Sequence, residues 1–457
     1  MKKAFALALV LLILSVGGMA YVFAKTDAAK DQVTFAKTVK YGDDAAAEGL
    51  EVTDCTDYNN HLFWNSTYSA LSDAAKTDFS FFSGKQDSTV PEPYGVSIGN
   101  NMWALWNWPN PGGSDKLPSA QKAYQELLNK TPAGQERSET FRLRDYYDYY
   151  PLEVHINVPG KTVDSGGFFA ESYANKFQDF FKIPVLEDET VTITVEKGMN
   201  GSAGSGSSST ESDTFYFSSI SAMTDDACYF TFDPHSSEGK LMDTSAIPGG
   251  YGLYCLPCKN GEINLSGLKT AYKIDPQYRV FGLHASADGK RLLLLTHEDA
   301  LCFLTVLDAE TMEPLQRLEL ADLPADGYVW NNYFYDDFFV IYLSDGKMVV
   351  TDEKDGKYRK AMTVETSAKD RSLYNPTYDA VMDWDGERLA VASYLPTSVD
   401  GHDFDNCSFC AAVYDRTGLA YFGEYLSSLD AGKDPSNSQD RCQRNSYLPL
   451  TVRWTDR

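Results

Sequence analysis

The pattern of apolar and polar positions changes in kind after the first 24 residues. Ala4–Ala24 is a run of 21 residues without a charged side chain, and Lys2 and Lys3 precede it. A helix of this length spans about 31 Å, enough to cross the hydrocarbon core of a bilayer. Beyond it, short apolar blocks alternate with polar turns, which is typical of β-strands. We therefore predict a transmembrane helix over residues 1–24, a linker over 25–34 and a β-rich domain over 35–457.

Three apolar blocks in the C-terminal half align with one another. They begin at Leu253, Leu304 and Met348, at offsets of 51 and 44 residues, and each runs into a polar turn. A shifted copy begins at Ala411. Self-similarity at a period of roughly 40–50 residues, with several strands per unit, indicates the blades of a β-propeller.

A second marker of the repeat is a turn that stands just before an apolar strand. Asp288-Gly289 and Asp385-Gly386 both occupy this place, and Asp337 holds the equivalent position between them. Asp-Gly suits a tight turn because glycine accepts positive φ and aspartate bonds to its own backbone. Another copy begins at Met223, so four blades can be placed within about residues 215–429.

This order of turn, strand, strand, acidic residue and glycine-containing turn resembles the repeat of WD40- and YVTN-like propellers. The diagnostic dipeptides of those families are absent from the sequence. The resemblance therefore implies the architecture and no chemistry.

The first half of the domain also reads as strands, and Thr190–Val195 alternates strictly between polar and apolar residues. A ring of four blades would not include these strands. The length of the chain therefore favours an all-β propeller of six to eight blades, with seven preferred. We expect Tyr447–Trp454 to complete a blade begun at Val33–Val39, which would hide both sheet edges. The alternative is a β-sandwich over residues 35–200 followed by a smaller propeller.

Two segments are predicted to be insertions in the loops of this domain. Pro118–Lys130 has an apolar helical face and a capping serine at Ser119, which predicts a short helix. Residues 199–212 contain the tract Gly201–Thr210, which is almost entirely glycine and serine. Such a composition predicts a flexible loop or a linker, and it marks the alternative domain boundary near residue 200.

The composition of the chain limits the kinds of partner that it is expected to bind. The chain has 457 residues, of which 43% are hydrophobic, enough for a large core. Its net charge of −25 argues against binding to nucleic acid and against adhesion to anionic lipid, because both need a basic surface. An acidic domain of this kind suits solubility outside a cell.

The amino-terminal segment predicts where the protein lies. Lysines before the apolar run and a long acidic domain after it predict a single pass through the cell membrane, with the amino end inside and the C-terminal domain outside. The membrane contact would be made by residues 4–24. The alternative is a secreted protein, because Val22-Phe23-Ala24 has small residues at the offsets that signal peptidase requires.

The cysteines include two pairs with the spacing of metal-binding or redox motifs, Cys255/Cys258 and Cys407/Cys410. The first pair coincides with apolar positions of the repeat, so we interpret these four cysteines as structural, either buried or disulfide-bonded. A shared Zn²⁺ ion stays open as an alternative. Ca²⁺ bound by the acidic loop at residues 400–406 is a second open alternative.

No catalytic residue, cofactor site or metal site is predicted. The six histidines have no pair at helical i, i+4 spacing, and the Gly-x-Ser-x-Gly motif of hydrolases is absent. The strongest candidates for ligand contact are aromatic residues in loops, because such rings stack on sugars or hold peptides. We expect these to be Trp106, Trp108, Tyr147 and Tyr149, whereas Trp330 is expected in the core.

The sequence therefore predicts a membrane-anchored β-propeller that binds or scaffolds a protein, peptide or glycan ligand. The alternative function is an extracytoplasmic hydrolase or lyase acting on polysaccharide or peptide, since a pair of carboxylates can serve such chemistry.

Overall fold

The computed structural model divides into two compact units. The first unit is Met1–Pro91 with Gly327–Arg457, and the second unit is Glu92–Asp326. The residues described are 2–58, 61–70, 75–81, 94–100, 126–150, 152–164, 171–199, 203–209, 215, 217–236, 238–324, 327–366, 380–395, 397–399, 402–404, 408–429, 443–444 and 450–455.

Among the described residues, helix is confined to a few segments. Helix α1 is Lys2–Lys30 and helix α2 is Glu171–Phe180. Residues 126–130 are also helical, as predicted for the end of the 118–130 insert, whose earlier residues lie outside the described part. Single turns of 3₁₀ helix occur at Asp44–Ala47, Leu143–Asp145 and Leu265–Gly267.

Helix α1 is longer than the predicted span and includes residues 25–30 of the predicted linker. The helix continues to Lys30 because its last turns satisfy their polar groups locally. Thr26 Oγ1 donates to the carbonyl of Val22 at 3.0 Å, and Lys30 Nζ lies 2.8 Å from the carboxylate of Asp27. The stretch Phe5–Lys30 is long and apolar enough to span a membrane, a property that signal sequences share.

The remaining described residues form mainly β-strands. In residues 1–91 they are β1 Phe35–Gly42, β2 Leu50–Tyr58, β3 Leu62–Ser69 and β4 Ala75–Phe81. In the second unit they are β5 Gly95–Asn100, β6 Glu136–Arg142, β7 Leu152–Val158, β8 Lys161–Asp164, β9 Thr190–Lys197, β10 Ala203–Ser209, β11 Ser219–Met223, β12 Ala227–Phe232, β13 Gly252–Lys259, β14 Glu262–Ile263, β15 Lys269–Lys273, β16 Arg279–Ala285, β17 Arg291–Glu298, β18 Leu301–Asp308 and β19 Pro314–Asp322. In residues 327–457 they are β20 Val329–Phe334, β21 Phe338–Leu343, β22 Lys347–Lys354, β23 Lys357–Glu365, β24 Val381–Trp384, β25 Leu389–Tyr394, β26 Thr397–Val399, β27 His402–Phe404, β28 Phe409–Asp415, β29 Gly418–Ser427, β30 Gln443–Arg444 and β31 Thr451–Trp454.

The second unit contains three antiparallel sheets whose strands follow chain order. Their orders are β5-β7-β8, β11-β12-β13-β15 with β14 also on β13, and β16-β17-β18-β19. Strand β11 packs against both β5 and β16, which places these sheets side by side with one core between them.

A separate three-stranded sheet of the second unit has the order β6-β9-β10. Strand β9 alternates between buried and half-buried residues as predicted, with Val191, Ile193 and Val195 inside. Strand β10 lies within the Gly/Ser tract, where a flexible loop or linker was expected. It forms because its backbone pairs with β9 in an antiparallel ladder.

The first unit contains sheets of the same type. Their orders are β20-β21-β22-β23, β24-β25-β28-β29 with β1 on the outer edge, and β2-β3-β4 with β30 and β31 on β2. Strands β26 and β27 form a separate hairpin. Four-stranded antiparallel sheets in chain order are the building unit of a propeller, so the predicted all-β fold class is confirmed.

The structure also confirms the sequence repeat. Leu253, Leu304, Met348 and Ala411 lie in β13, β18, β22 and β28, and each of these is the third strand of its sheet. All four side chains are buried. The repeat therefore marks one position in the blade, the strand that is covered on both faces.

The acidic turns join the first two strands of each sheet, as predicted. Asp288-Gly289 lies between β16 and β17, and Asp385-Gly386 lies between β24 and β25. Asp288 Oδ1 accepts the backbone N–H of Lys290 at 3.1 Å, and both glycines have positive φ. These are the hydrogen bond and the conformation that the Asp-Gly pattern predicts.

The two ends of the β domain enter different sheets, so the expectation that they share one blade was wrong. Strand β1 pairs with β29, whereas β31 pairs with β2 over Leu50–Thr53. Each end covers the edge of a sheet formed by another part of the chain, which protects that edge from other strands.

Trp454 fixes the last strand, and we expect Trp454→Ala to lower the free energy of unfolding by about 3–5 kcal/mol. Its ring is buried under the guanidinium of Arg388, 3.9 Å from the ring centre. Its backbone N–H donates to Asp383 Oδ2 at 2.7 Å. Urea denaturation measures the effect, and Leu426→Ala, at an exposed residue of the same unit, should change stability by less than about 1 kcal/mol. Equal effects of the two variants would contradict this role.

Candidate functional site

One recess in the described part of the second unit is a cavity of about 440 Å³ that we call the turn cavity. It lies where the hairpin turns β7–β8, β11–β12, β13–β14 and β16–β17 meet, next to the start of β5. The residues that line it are Tyr94, Pro159, Met223, Thr224, Asp225, Asn260, Gly261, Ser286, Ala287, Asp288 and Gly289.

Backbone conformation brings these turns close together. Asn260 and Gly261 both have positive φ, which is the conformation of a two-residue hairpin turn with the Asn-Gly sequence. A Cβ atom on Gly261 would stand 2.7 Å from the carbonyl oxygen of Pro159. Glycine is therefore required where the β13–β14 turn passes the β7–β8 turn.

The cavity has both apolar and polar lining groups, and its polar groups include negative charge. Asp288 accepts hydrogen bonds from Ser286 Oγ at 2.7 Å and from the backbone of Lys290, and these bonds hold the pKa of its carboxyl below the usual range. Asp225 supplies a second carboxyl group, and Thr224, Ser286 and Asn260 add groups that can form hydrogen bonds. A site of this kind can hold a polar or cationic group.

Tyr94 adds an aromatic surface to the cavity. Its side chain is 50% exposed, so its ring is accessible for stacking on a ligand. Sequence reasoning identified Met223 and Asp288 as turn markers but did not place them together. The turns come from distant parts of the chain, and no shared motif marks the cavity.

A second recess of about 480 Å³, which we call the hairpin cavity, lies beside the β13–β14 turn. Lys259 Nζ lies 2.8 Å from the carboxylate of Asp226 at this cavity. Its lining residues are Asp226, Pro257, Cys258, Lys259, Glu262, Ile263 and Asn264.

The aromatic residues predicted to contact a ligand differ in their exposure to solvent. Tyr149 is 41% exposed, as expected. Tyr147 is half-buried against the core of the second unit, and burial raises the pKa of its phenol to about 12. Trp106 and Trp108 lie outside the described residues, so their role stays a prediction.

The expectation that Trp330 lies in the core was wrong. Trp330 is 45% exposed on β20 of the first unit, and its ring centre lies 5.5 Å from that of Tyr328, which is 52% exposed. The pair is at the first strand of its sheet, which has a less buried pattern than the second strand. It is an exposed aromatic surface of the first unit.

The cysteines do not pair as their spacing suggests. Cys255 and Cys258 both lie in β13, and residues three apart in a strand point to opposite faces. Cys258 instead lies beside Cys228 of β12, with the two sulfur atoms 3.6 Å apart. Both thiols are free and buried.

The second predicted pair is only partly described, because Cys407 lies outside the described residues. Cys410 is buried in β28 of the first unit, and burial raises the pKa of its thiol to about 11. Within the described ranges, no three His, Cys, Asp or Glu side chains are grouped to hold a metal ion. Binding of Zn²⁺ or Ca²⁺ stays an alternative hypothesis.

Comparisons with known proteins give no assignment. No protein family matches the sequence, and no curated protein is significantly similar to it. Among solved structures, the chain is similar to a protein from Lactobacillus plantarum at 10% identity and TM-score 0.30, with 82% of this chain and 98% of that chain covered. It is similar to the β-propeller domain of Cps50 (Swd1) from Myceliophteria thermophila at 8% identity and TM-score 0.26, with 54% and 84% covered.

A further likeness, to a chain of the mitotic checkpoint complex, has 10% identity and TM-score 0.26 and covers 44% of this chain. The match spans about half the length of that chain, 48%. All three TM-scores are below 0.5, so these likenesses do not support a function for this chain. The fold is assigned from the sheets of the chain itself.

We expect tetranitromethane to nitrate Tyr149 faster than Tyr147, because nitration requires an accessible phenolate. At pH 8 a phenol with a pKa of about 12 carries roughly one hundredth of the phenolate of an ordinary tyrosine. Peptide mapping by mass spectrometry measures both rates, with the fully buried Tyr150 as the unreactive reference. Equal nitration of Tyr147 and Tyr149 would show that Tyr147 is not held in the core.

Proposed function

We propose that this chain is a membrane-anchored binding module, whose β domain lies outside the cell membrane and binds a protein, peptide or glycan at the turn cavity. The observation that carries the proposal is the convergence of four hairpin turns around one recess with an exposed aromatic ring. Loops and turns at one end of a rigid scaffold are common places for recognition.

The charge of the turn cavity indicates which chemical groups of a ligand would bind there. Asp225 and Asp288 both face it, and the lowered pKa of the Asp288 carboxyl keeps this group ionised further into the acidic range than an ordinary aspartate. A cationic or hydroxyl-rich group would therefore be favoured over an anionic one. A stacking contact with Tyr94 fits the flat face of a sugar or the side chain of a peptide.

The second candidate function is an extracytoplasmic hydrolase or lyase that acts on polysaccharide or peptide. It is favoured by the presence of two carboxyl groups, Asp225 and Asp288, at one cavity. The lowered pKa of Asp288 weighs against a role as general acid, because a proton donor in such a reaction needs a raised pKa. We therefore prefer binding to catalysis.

Tyr94→Ala should weaken binding by about tenfold or more, since truncating an aromatic anchor commonly costs over 1 kcal/mol. The full chain in detergent is first screened on arrays of glycans and synthetic peptides, and the affinity of a selected ligand is then measured by calorimetry. The double variant Asp225→Asn/Asp288→Asn should weaken binding of a cationic ligand further.

The matched control for this experiment is Tyr328→Ala, a tyrosine of almost equal exposure in the first unit. It should leave the affinity unchanged. Loss of binding in Tyr328→Ala but not in Tyr94→Ala would place recognition at the Tyr328/Trp330 pair and contradict the proposal. Turnover of an array ligand by the wild-type chain that is lost in Asp225→Asn would favour the enzyme.

We expect residues 4–24 to remain attached as a membrane anchor, because the apolar run is longer than a typical signal sequence. The protein should stay in the membrane pellet after a carbonate wash, and sequencing should place its amino terminus before Ala4. Added protease should digest the β domain from outside intact cells. A soluble product that begins at Lys25 would instead establish the alternative, secretion after cleavage.

A further inference from the structure

The thiols of Cys228 and Cys258 stand out among the cysteines of the described residues because they are placed next to each other. The register of β12 and β13 sets Cys228 opposite Leu256, and Cys258 is two residues further along the same face. Their sulfur atoms are 3.6 Å apart, although the residues are separated by 30 positions in the chain.

The two thiols differ in access and in acidity. Cys258 lines the hairpin cavity, whereas Cys228 is completely buried. The Sγ atoms of Cys258 and Cys228 share a hydrogen bond, and this contact lowers the pKa of the Cys258 thiol. The thiolate is the reactive form of cysteine, so the thiol beside the cavity is also the one better prepared to react.

We propose that Cys228 and Cys258 form a disulfide by exchange with an external disulfide, with Cys258 as the attacking thiol and Cys228 as the resolving thiol. This inference does not depend on the ligand proposed for the turn cavity.

The exchange has two steps. The thiolate of Cys258 attacks one sulfur of a small-molecule disulfide such as oxidised glutathione, which forms a mixed disulfide and releases one thiolate. Cys228 then loses its proton, attacks the sulfur of Cys258 and releases the second thiolate. The two protein thiols give up two electrons and two protons, and the external disulfide is reduced to two thiols.

The diagonal register gives this bond a distinct character. A bond between diagonal neighbours requires the sulfur atoms to move closer by rotation of both side chains, within a sheet that is held by backbone hydrogen bonds. Strain of this kind makes a disulfide easier to reduce. The bond would therefore be formed in an oxidising compartment and reopened by a moderate concentration of a thiol.

The test uses the full chain in detergent, purified with a reductant and then exchanged into oxidised glutathione. Free thiols are alkylated, and the peptides are identified by mass spectrometry without reduction. We expect one peptide pair linked through Cys228 and Cys258, while Cys302, a buried cysteine of the same unit, remains alkylated. Recovery of Cys228 and Cys258 as free thiols to the same extent as Cys302 would overturn the proposal, as would linkage of Cys258 to another cysteine.

Two variants assign the order of attack, with Cys302→Ser as the matched control. In Cys228→Ser, Cys258 should retain one glutathione, because no resolving thiol is present. In Cys258→Ser, Cys228 should stay unmodified, because it is not reached from the cavity. Attachment of glutathione to Cys228 in Cys258→Ser would reverse the assigned roles, and the wild-type peptide map decides whether the bond forms even if a variant fails to fold.

Discussion

Burial of the middle strands on both faces is the constraint on which the rest of the structure depends. In β12, β21 and β25 almost every side chain is buried, whichever way it points from the strand. Such a strand cannot use a polar residue on either face without cost, so it becomes a continuous apolar run. The outer strands are covered on one face only, and they return to alternation or to a mostly polar composition.

This constraint explains why the fold class could be predicted from the sequence. The repeat found at Leu253, Leu304 and Met348 is the third strand of each sheet, where burial leaves the least freedom of composition. Two of the turns are also recognisable, because Asp288-Gly289 and Asp385-Gly386 each place a glycine at positive φ. Both signals lie within short stretches of the sequence, so they can be recognised without knowing which strands pair.

Features that depend on distant partners were not predicted. Nothing within β1 or β31 specifies β29 or β2 as its neighbour, and the Gly/Ser strand β10 owes its conformation to β9. The turn cavity is likewise assembled from four turns whose residues share no pattern. Cysteine spacing fails for the same reason, because β13 divides Cys255 and Cys258 between two faces and the adjacent strand supplies the partner of Cys258.

The junction between helix α1 and the strands of the first unit limits how far the helix can lie from those strands. Only residues 31–34 lie between Lys30 and the first residue of β1, and four extended residues reach about 14 Å at most. The ring centre of Phe23, near the end of the apolar run, is 5.3 Å from that of Phe79 in β4. With residues 4–24 in a bilayer, the first unit would rest on the lipid headgroups rather than extend away from them on a stalk. Under the proposed anchoring, a partner of this unit would approach it from the side or from above, within the layer next to the membrane.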